Sequence, residues 1–252
     1  MSIRMQVDSG IADLTIDRPP LNVLTRDLLR DLREAAARIR DDDGVRVVVL
    51  AAAGKHFSAG ADVGEHFPPM FRELIPEMVE TIEAIASLPV PVIAAVRGRC
   101  LGGGFELVQA ADLVVAGEGA SFGQPEIALG VTAPVACALL PGIGGYGAAA
   151  EILFTGDAVT ARRAREAGIV QRVVPDDQVE AEARALAGRC ARHSAAALRL
   201  TKRTLRVTAG RVPPEALRVA GAIYVEEVME TRDAVEGLRA FTEKRAPAWE
   251  HR

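Results

Sequence analysis

Cysteine is scarce in this sequence, and its few residues lie far apart. The chain of 252 residues contains three cysteines, Cys100, Cys137 and Cys190. An odd number of widely spaced cysteines provides neither a disulfide framework nor the CxxC pairs of a structural metal site. His66 is not expected to bind a metal ion, because no second candidate ligand lies at a suitable spacing from it. We therefore expect buried, reduced thiols in a cytosolic protein, and no metal centre.

An excess of basic residues and a long apolar run are also missing. Lysine and arginine number 30 against 34 acidic residues, which gives a formal net charge of −4. This balance lacks the electrostatic footprint of nucleic-acid binding, although a local basic pocket for a small anion remains compatible with it. We find no unbroken run of 18 apolar residues, and the alternating N-terminal residues do not resemble a signal peptide. We expect a cytoplasmic protein that binds neither nucleic acid nor membranes.

Hydrophobic residues make up 49% of the chain, and their spacing alternates between strand and helix periods. Residues 3–7 and 11–16 flank Asp8-Ser9-Gly10 and predict a β-hairpin. Thr25 is a candidate N-cap for a helix that extends to Ile39. Buried strands are predicted at 45–50, 90–96, 113–116 and 169–174, with helices at 70–87 and 105–111. Strands that alternate with helices predict an α/β fold.

The pattern changes toward the C-terminus, where helices dominate. Helices are predicted at 177–193, 195–208, 215–229 and 233–244. We therefore divide the chain into an α/β core, residues 1–194, and a helical C-terminal region, residues 195–252. No flexible linker separates them, so the helical region is expected to dock on this core or on a neighbouring subunit.

Three consecutive glycines follow the predicted strand at 90–96. Gly102, Gly103 and Gly104 open a short helix, and glycine leaves backbone N–H groups uncovered by side chains. The N-terminus of a helix directs such donors at an anion or a developing oxyanion. A tight turn that permits close packing is the alternative interpretation.

Two carboxylates stand near this turn. Glu106 lies in the first turn of the predicted helix, and Glu126 follows in the segment Phe122-Gly123-Gln124-Pro125-Glu126. Two carboxyl groups that share a pocket can divide the roles of acid and base when their pKa values are separated. Their spacing alone favours the alternative, two structural or surface carboxylates.

Two further motifs are less informative. His56, Ser58 and Asp62 lie too close together in one loop to converge as a catalytic triad, and the Gly-x-Ser-x-Gly elbow is absent. Small residues in this loop instead suggest close approach of the backbone to a ligand. The segment 142–147 matches GxGxxG, but it lacks a clear preceding strand and a following βαβ unit. An NAD-dependent oxidoreductase would depend on this match alone.

Taken together, these segments resemble the enoyl-CoA hydratase/isomerase (crotonase) family. The resemblance covers nearly the whole chain and is carried by the segments 57–62, 101–106 and 122–127, with Thr155-Gly156-Asp157, residues 167–170 and 241–245 in the same order. It implies a crotonase-like spiral of ββα units with a helical C-terminal region. That region would support a homotrimer or a dimer of trimers and complete the CoA pocket.

The resemblance also implies roles for individual residues. The backbone N–H groups of Ala61 and Gly103 would form an oxyanion hole for a thioester carbonyl. Glu106 matches the carboxylate that activates water, and Glu126 matches the one that protonates the α-carbon. CoA would contact Ala59, Ala61, Asp62 and Val63, and Phe241 and Lys244 of a neighbouring subunit. The CoA thioester is then the substrate, and no cofactor is expected.

A narrower resemblance concerns the acyl group. The segments 18–24, 65–68, 97–101, 133–137 and 233–238 resemble the branch of this family that hydrates cyclohexa-1,5-diene-1-carbonyl-CoA to 6-hydroxycyclohex-1-ene-1-carbonyl-CoA. Ala133-Pro134-Val135-Ala136-Cys137 replaces the Pro-Gly-x-Gly-Gly stretch that usually follows the second glutamate. The expected acyl pocket comprises His66, Phe67, Phe71, Phe105 and Pro134, with core packing as the alternative for the phenylalanines. The other hypotheses are a hydratase of linear, β-branched or carrier-bound thioesters, an isomerase, and an inactive acyl-CoA-binding subunit.

Overall fold

The computed structural model describes residues 2–210 and 213–251, so Met1 and Arg252, the outer ends of the two predicted regions, lie outside it. The strands are β1 (Ile3–Asp8), β2 (Ile11–Ile16), β3 (Val47–Ala52), β4 (Val92–Val96), β5 (Arg99–Leu101), β6 (Leu113–Gly117), β7 (Ser121–Gly123), β8 (Val159–Thr160) and β9 (Arg172–Val174). They form one sheet of order β1-β2-β3-β4-β6-β9 and a smaller sheet of order β5-β7-β8. Among the described residues of the larger sheet, the hairpin β1–β2 is antiparallel and every other neighbouring pair of strands is parallel.

The helices confirm the predicted mixed α/β fold with a helical C-terminal region. They are α1 (Arg26–Arg40), α2 (Phe71–Ala86), α3 (Gly103–Gln109), α4 (Pro134–Thr155), α5 (Ala161–Glu166), α6 (Val179–Ala191), α7 (Ala195–Thr208), α8 (Pro213–Ile223) and α9 (Arg232–Thr242). Short 3₁₀ turns cover Gly64–His66, Pro125–Leu129 and Asp176–Gln178, and a π-helical turn covers Tyr224–Val228. Thr25 caps α1 as predicted, because its side chain accepts a hydrogen bond from Leu28 N.

Parallel strands at the centre of the sheet are buried on both faces, which explains why they are continuous apolar runs. All six residues of β3 are buried. Val47 and Val49 belong to the hydrophobic cluster that includes α6, whereas Val48 and Leu50 belong to the larger cluster that includes α1, α2 and α3. The sheet therefore has helices on both faces, and its strand ends support the loops that build the site.

Several predicted boundaries are wrong, and one sheet was not predicted. The strand predicted at 45–50 begins at Val47, and the one predicted at 169–174 is only Arg172–Val174. The helix predicted at 215–229 ends at Ile223 and continues as the π-helical turn. Strands β5, β7 and β8 contain two or three residues each, too few to show a period in the sequence.

Helix α4 corrects the expectation about apolar runs. The helix is long and apolar enough to cross a membrane by length and composition alone, with a mean hydropathy of 1.4 over an 18-residue window. Pro141 lies inside it, and Gly145 interrupts its helical geometry with φ 79° and ψ 157°. The GxGxxG match lies within this helix and not after a strand, so it lacks the structural context of a dinucleotide site.

The helical C-terminal region docks on the core of its own chain. The buried Lys202 on α7 forms an ion pair with Asp112 (2.7 Å) and donates a hydrogen bond to the carbonyl of Val90 (2.8 Å). The buried carboxylate of Asp233 accepts hydrogen bonds from Glu250 N and His251 N at 2.7 and 2.9 Å. The contacts of Lys202 confirm docking on the core, one of the two expected arrangements, whereas those of Asp233 hold the C-terminal residues against α9.

Candidate active site

A cavity of about 350 Å³ lies where four segments meet. It is bounded by the loop 59–67, one side of α2, the N-terminus of α3 and the segment 125–134. Its lining residues are Ala59, Gly60, Ala61, Val63, His66, Phe67, Leu74, Ile75, Met78, Gly102, Gly103, Glu106, Pro125, Glu126, Leu129, Val131, Thr132, Ala133 and Pro134. Most of these are apolar, so a polar group at this site faces a weakly solvating surface.

Glu106 is buried and held by the start of α4. Its Oε1 accepts hydrogen bonds from Val135 N and Ala136 N, both at 3.0 Å, and Pro134 occupies the first helical position, where no N–H is needed. Burial raises the pKa of the Glu106 carboxyl to about 7; the two backbone hydrogen bonds oppose this rise, and the nearby charge of Glu126 adds to it. A carboxyl with this pKa can release and accept a proton near neutral pH.

Glu126 reaches the same cavity from the 3₁₀ turn Pro125–Leu129. In the orientation that satisfies its neighbours, the Gln124 amide donates a hydrogen bond to Glu126 Oε2 (3.1 Å) and accepts one from Gln109 Nε2 (3.1 Å). Burial also raises the pKa of the Glu126 carboxyl, and its own backbone N–H opposes the rise. The structure thus brings both predicted carboxyl groups to one cavity, in surroundings that disfavour two negative charges.

Two backbone N–H groups flank the carboxyl pair. Gly103 is the first residue of α3, and Gly102 before it adopts φ 52° and ψ −132°. A Cβ placed on Gly103 would lie 3.4 Å from Ala61 N, so these two backbone segments approach closely. Within the described part of the chain, neither Ala61 N nor Gly103 N donates a hydrogen bond. Two such donors beside one cavity can receive a single oxygen atom.

His66 also lines the cavity, at the end of the 3₁₀ turn Gly64–His66. Its Nδ1 lies 2.8 Å from the carbonyl oxygen of Asp62. Because a carbonyl only accepts, Nδ1 carries the proton in this contact and Nε2 is the nitrogen left for other partners. The Asp62 carboxylate stabilises the turn by accepting hydrogen bonds from Gly64 N (2.7 Å) and Glu65 N (3.3 Å).

The structure corrects two of the predicted acyl-pocket positions. Phe105 does not line the cavity, because it is fully buried and packs against Phe122 with ring centroids 5.4 Å apart. Phe71 does not line it either, and its ring lies 5.2 Å from the guanidinium carbon of Arg72. Asp62 is not among the residues that line this cavity, and its carboxylate caps the 3₁₀ turn; its contact with CoA stays a prediction. Core packing, the alternative considered for the phenylalanines, holds for Phe105.

Phe241 and Lys244 lie outside this cavity in their own chain. The Phe241 side chain is 85% exposed on α9, and Lys244 follows the helix with a positive φ of 54°. Their predicted contact with CoA therefore concerns a neighbouring subunit and stays a prediction.

Sequence reasoning missed part of the cavity wall. Leu74, Ile75 and Met78 come from one side of α2, and Leu129, Val131 and Thr132 come from the segment before α4. The helical spacing of the α2 residues was a usable signal for a buried face, but it does not distinguish a cavity wall from a packed core. No signal of this kind exists for the irregular segment.

The loop with His56, Ser58 and Asp62 does not form a triad. Ser58 is buried, and its hydroxyl donates to Asn22 O (2.8 Å) and accepts from Gly60 N (3.1 Å). His56 accepts a hydrogen bond from Arg99 N at 3.1 Å. Across residues 2–210 and 213–251, no group of three histidine, cysteine or acidic side chains is arranged to hold a metal ion.

Comparison with known proteins gives a consistent family signal. Residues 6–252 match the family model described as enoyl-CoA hydratase/isomerase. The chain is 35% identical to the cyclohexa-1,5-dienecarbonyl-CoA hydratase of Thauera aromatica, over 100% of this chain and 97% of that protein. It is 35% identical to the carnitinyl-CoA dehydratase of Salmonella typhi, over 100% and 99% of the two chains. The crystal structure of an enoyl-CoA hydratase from Bacillus anthracis superposes with a TM-score of 0.95 at 33% identity, covering 100% of both chains.

Proposed function

This chain belongs to the enoyl-CoA hydratase/isomerase family and is a carbon–oxygen lyase of the enoyl-CoA hydratase type, and we propose that its substrate is cyclohexa-1,5-diene-1-carbonyl-CoA. The proposal is based on the carboxyl pair Glu106 and Glu126, which faces one apolar cavity. Beside this pair lie the backbone N–H groups of Ala61 and Gly103, which donate no hydrogen bond within the described residues. The choice of the ring thioester is supported by the full-length similarity to a protein named cyclohexa-1,5-dienecarbonyl-CoA hydratase.

Binding begins with the thioester carbonyl. Its oxygen accepts hydrogen bonds from Ala61 N and Gly103 N, and the CoA chain follows the backbone of Ala59 to Val63. Negative charge develops on this oxygen when water adds to the conjugated alkene. Backbone dipoles that are already oriented stabilise that charge without reorganising during the reaction.

The carboxyl pair handles the water molecule and its protons. Glu106 accepts a proton from the water as the new carbon–oxygen bond forms, and Glu126 supplies a proton to the enolate of an open-chain thioester. The two groups must differ in protonation, and burial raises the pKa of both. Mutual repulsion in a shared apolar site then favours the state in which only one of them is charged.

The acyl group is enclosed by His66, Phe67, Pro134 and the apolar side chains of α2. Pro134 begins α4 next to the two residues that hold Glu106, so the altered segment 133–137 links the acyl pocket to the water-activating carboxylate. A rigid six-membered ring suits such an apolar enclosure, because it loses little conformational entropy on binding.

A second candidate is hydration of an open-chain enoyl-CoA. It is favoured by the similarity to solved structures named enoyl-CoA hydratase, among them one from Mycobacterium smegmatis with a TM-score of 0.92 at 33% identity over 99% of both chains. Both candidates use Glu106 to activate water, and they differ in the acyl group and in the carbon that receives the proton.

Turnover of the two thioesters by the purified protein distinguishes these candidates. We expect a kcat/KM for cyclohexa-1,5-diene-1-carbonyl-CoA at least tenfold above that for crotonyl-CoA. A preference for crotonyl-CoA would reject the ring substrate and favour the second candidate. Activity on neither thioester would reject both.

Self-association is part of the proposal. Large apolar side chains are exposed on α4 and the C-terminal helices, including Phe154 (72% exposed), Leu217 (73%) and Phe241 (85%). We propose that a homotrimer or a dimer of trimers covers these side chains and brings Phe241 and Lys244 to a neighbouring CoA site. Light scattering coupled to gel filtration should give three or six times the mass of 26.7 kDa, and a monomeric mass would contradict this part.

A further inference from the structure

His66 is the third titratable side chain in the cavity wall, beside Glu106 and Glu126, among the lining residues that the structure describes. We propose that His66 is the general acid that protonates the carbon of the cyclic diene farthest from the site of water addition. This inference depends on the proposed ring substrate and adds a role that the carboxyl pair does not fill.

The need for a third group follows from the bonds of the proposed reaction. In the substrate the thioester is attached to C1, and the double bonds are C1=C2 and C5=C6. The water oxygen bonds to C2, and the C1=C2 electron pair moves into a dienolate that extends over C6 and C5. When the thioester carbonyl forms again, the double bond becomes C1=C6 and the C5=C6 pair takes up a proton at C5. Renumbered, this product is 6-hydroxycyclohex-1-ene-1-carbonyl-CoA.

The α-carbon therefore gains no hydrogen in this reaction. An open-chain hydration ends with a proton on the α-carbon, which is bonded to the thioester carbonyl. Glu126 suits that position, because its carboxylate lies over Gly102, next to the proposed carbonyl donor Gly103 N. The cyclic diene instead needs its proton at C5, two bonds further along the ring. A separate acid at the cavity wall meets this requirement.

The structure gives His66 a defined orientation for this role. Its Nδ1–H is engaged by the carbonyl of Asp62, which leaves Nε2 as the nitrogen that can hold or release a proton toward a ligand. The turn that carries His66 is fixed on its other side, because the Glu65 carboxylate accepts a hydrogen bond from Arg26 N at 3.0 Å. A positioned imidazole of this kind is a common general acid.

Charge and proton balance are satisfied within the site. Protonated His66 donates its Nε2 proton to C5, and Glu106 takes a proton from the added water. The ring gains the elements of water, and the enzyme is left with neutral His66 and protonated Glu106. A proton passed from Glu106 to His66 through water or solvent restores the starting state. His66 lies near enough to Glu106 for a positive imidazolium charge to lower the pKa of that carboxyl.

The test compares His66→Gln with His193→Gln on two thioesters. His193 is exposed and lies outside this cavity, so its variant matches the chemical change without touching the site. We expect His66→Gln to reduce kcat on cyclohexa-1,5-diene-1-carbonyl-CoA by about 10²- to 10⁴-fold, the usual contribution of a general acid. The loss on crotonyl-CoA should be at least tenfold smaller. His193→Gln should match the wild type on both.

A second variant separates lost chemistry from lost folding. Added imidazole should restore ring turnover to His66→Ala, because the free base can enter the space left by the side chain. An equal loss on both thioesters in His66→Gln, unimpaired ring turnover, or no rescue of His66→Ala would overturn the inference. If the wild type hydrates crotonyl-CoA but not the ring, the inference and the ring substrate fail while the hydratase activity stands. If it hydrates neither, the proposed function fails as well.

Discussion

The carboxylate of Glu126 lies directly over the α-carbon of Gly102. A Cβ placed on Gly102 would be 2.6 Å from Glu126 Oε1, well inside van der Waals contact. Gly102 also adopts a φ of 52°, a conformation that residues with a side chain rarely enter. The first glycine of the turn therefore makes room for a carboxyl group as well as shaping the backbone.

Gly102→Ala should reduce both stability and hydratase activity. A residue with a Cβ in this sparsely populated conformation costs about 1–3 kcal/mol, and the methyl group displaces Glu126. Gly210→Ala is the matched control, since Gly210 has a φ of 74° and nothing within 4 Å of an added Cβ. Urea unfolding should show both variants destabilised, Gly102→Ala at least as much as Gly210→Ala, whereas only Gly102→Ala should lose kcat by 100-fold or more. Equal activity in the two variants would show that Glu126 is not constrained by this contact.

Gly103→Ala should impair the proposed oxyanion hole. A Cβ at this position would meet Met78 Cε at 2.6 Å and lie 3.4 Å from Ala61 N, so it intrudes on the donor pair. Loss of one such donor typically costs about 10²- to 10³-fold in kcat. Gly188→Ala on α6 is a suitable control, because its Cβ meets nothing within 4 Å. Comparable kcat values for both variants would argue against a role for this backbone in catalysis.

The pH dependence of kcat/KM should show an acid limb near pH 7. Glu106 acts as a base only when ionised, and burial raises its pKa to about 7. Activity on crotonyl-CoA should therefore rise with pH through this value, because the ionised fraction rises. The control variant Glu118→Gln, which changes an exposed carboxylate, should show the same acid limb in its kcat/KM profile. A flat profile between pH 5.5 and 8 would contradict the assignment of Glu106 as the base.

Glu106→Gln should stabilise the protein at alkaline pH. The carboxyl has a pKa of about 7 in the folded protein, against an ordinary value of 4.5 for the unfolded chain. The folded state therefore keeps this proton up to a higher pH than the unfolded state does. Ionisation of the buried carboxyl therefore lowers the free energy of unfolding of the wild type. This loss is absent below about pH 4.5, grows as pH rises, and reaches roughly 3 kcal/mol above pH 7. Urea unfolding at pH 8 should show Glu106→Gln to be more stable than the wild type, with the difference shrinking toward pH 4.5. A less stable variant at pH 8 would mean that the charged form is favoured by its hydrogen bonds.

Elements with a clear period or cap were predictable from the sequence. Thr25 marked the start of α1, the helix at 195–208 matches α7, and β-branched runs located β3 and β4 within two residues. Strands β5 and β7 were missed because three residues carry no period. Helix α4 was missed because two prolines and several glycines interrupt its pattern, although Pro134 is tolerated at a first turn and Gly145 at a kink.

The site was predictable in its residue types but not in its geometry. The sequence could place Glu106 after a glycine turn, but the partners that hold it, Val135 N and Ala136 N, lie 29 and 30 residues away. Phe105 was assigned to the acyl pocket, yet a helix of seven residues gives no reliable face, and the ring packs in the core against Phe122. Such long-range contacts depend on how α3 and α4 pack, which the local pattern does not encode.

The central claim is that Glu106 and Glu126 act as a pair on a conjugated CoA thioester. The most direct measurement is steady-state hydration of cyclohexa-1,5-diene-1-carbonyl-CoA and crotonyl-CoA by the wild type, Glu106→Gln and Glu126→Gln, with Glu118→Gln as the control. We expect the wild type and the control to turn over both thioesters, with the ring thioester preferred. On crotonyl-CoA, each active-site variant should lose at least 100-fold in kcat. Full activity in either active-site variant would contradict the paired mechanism.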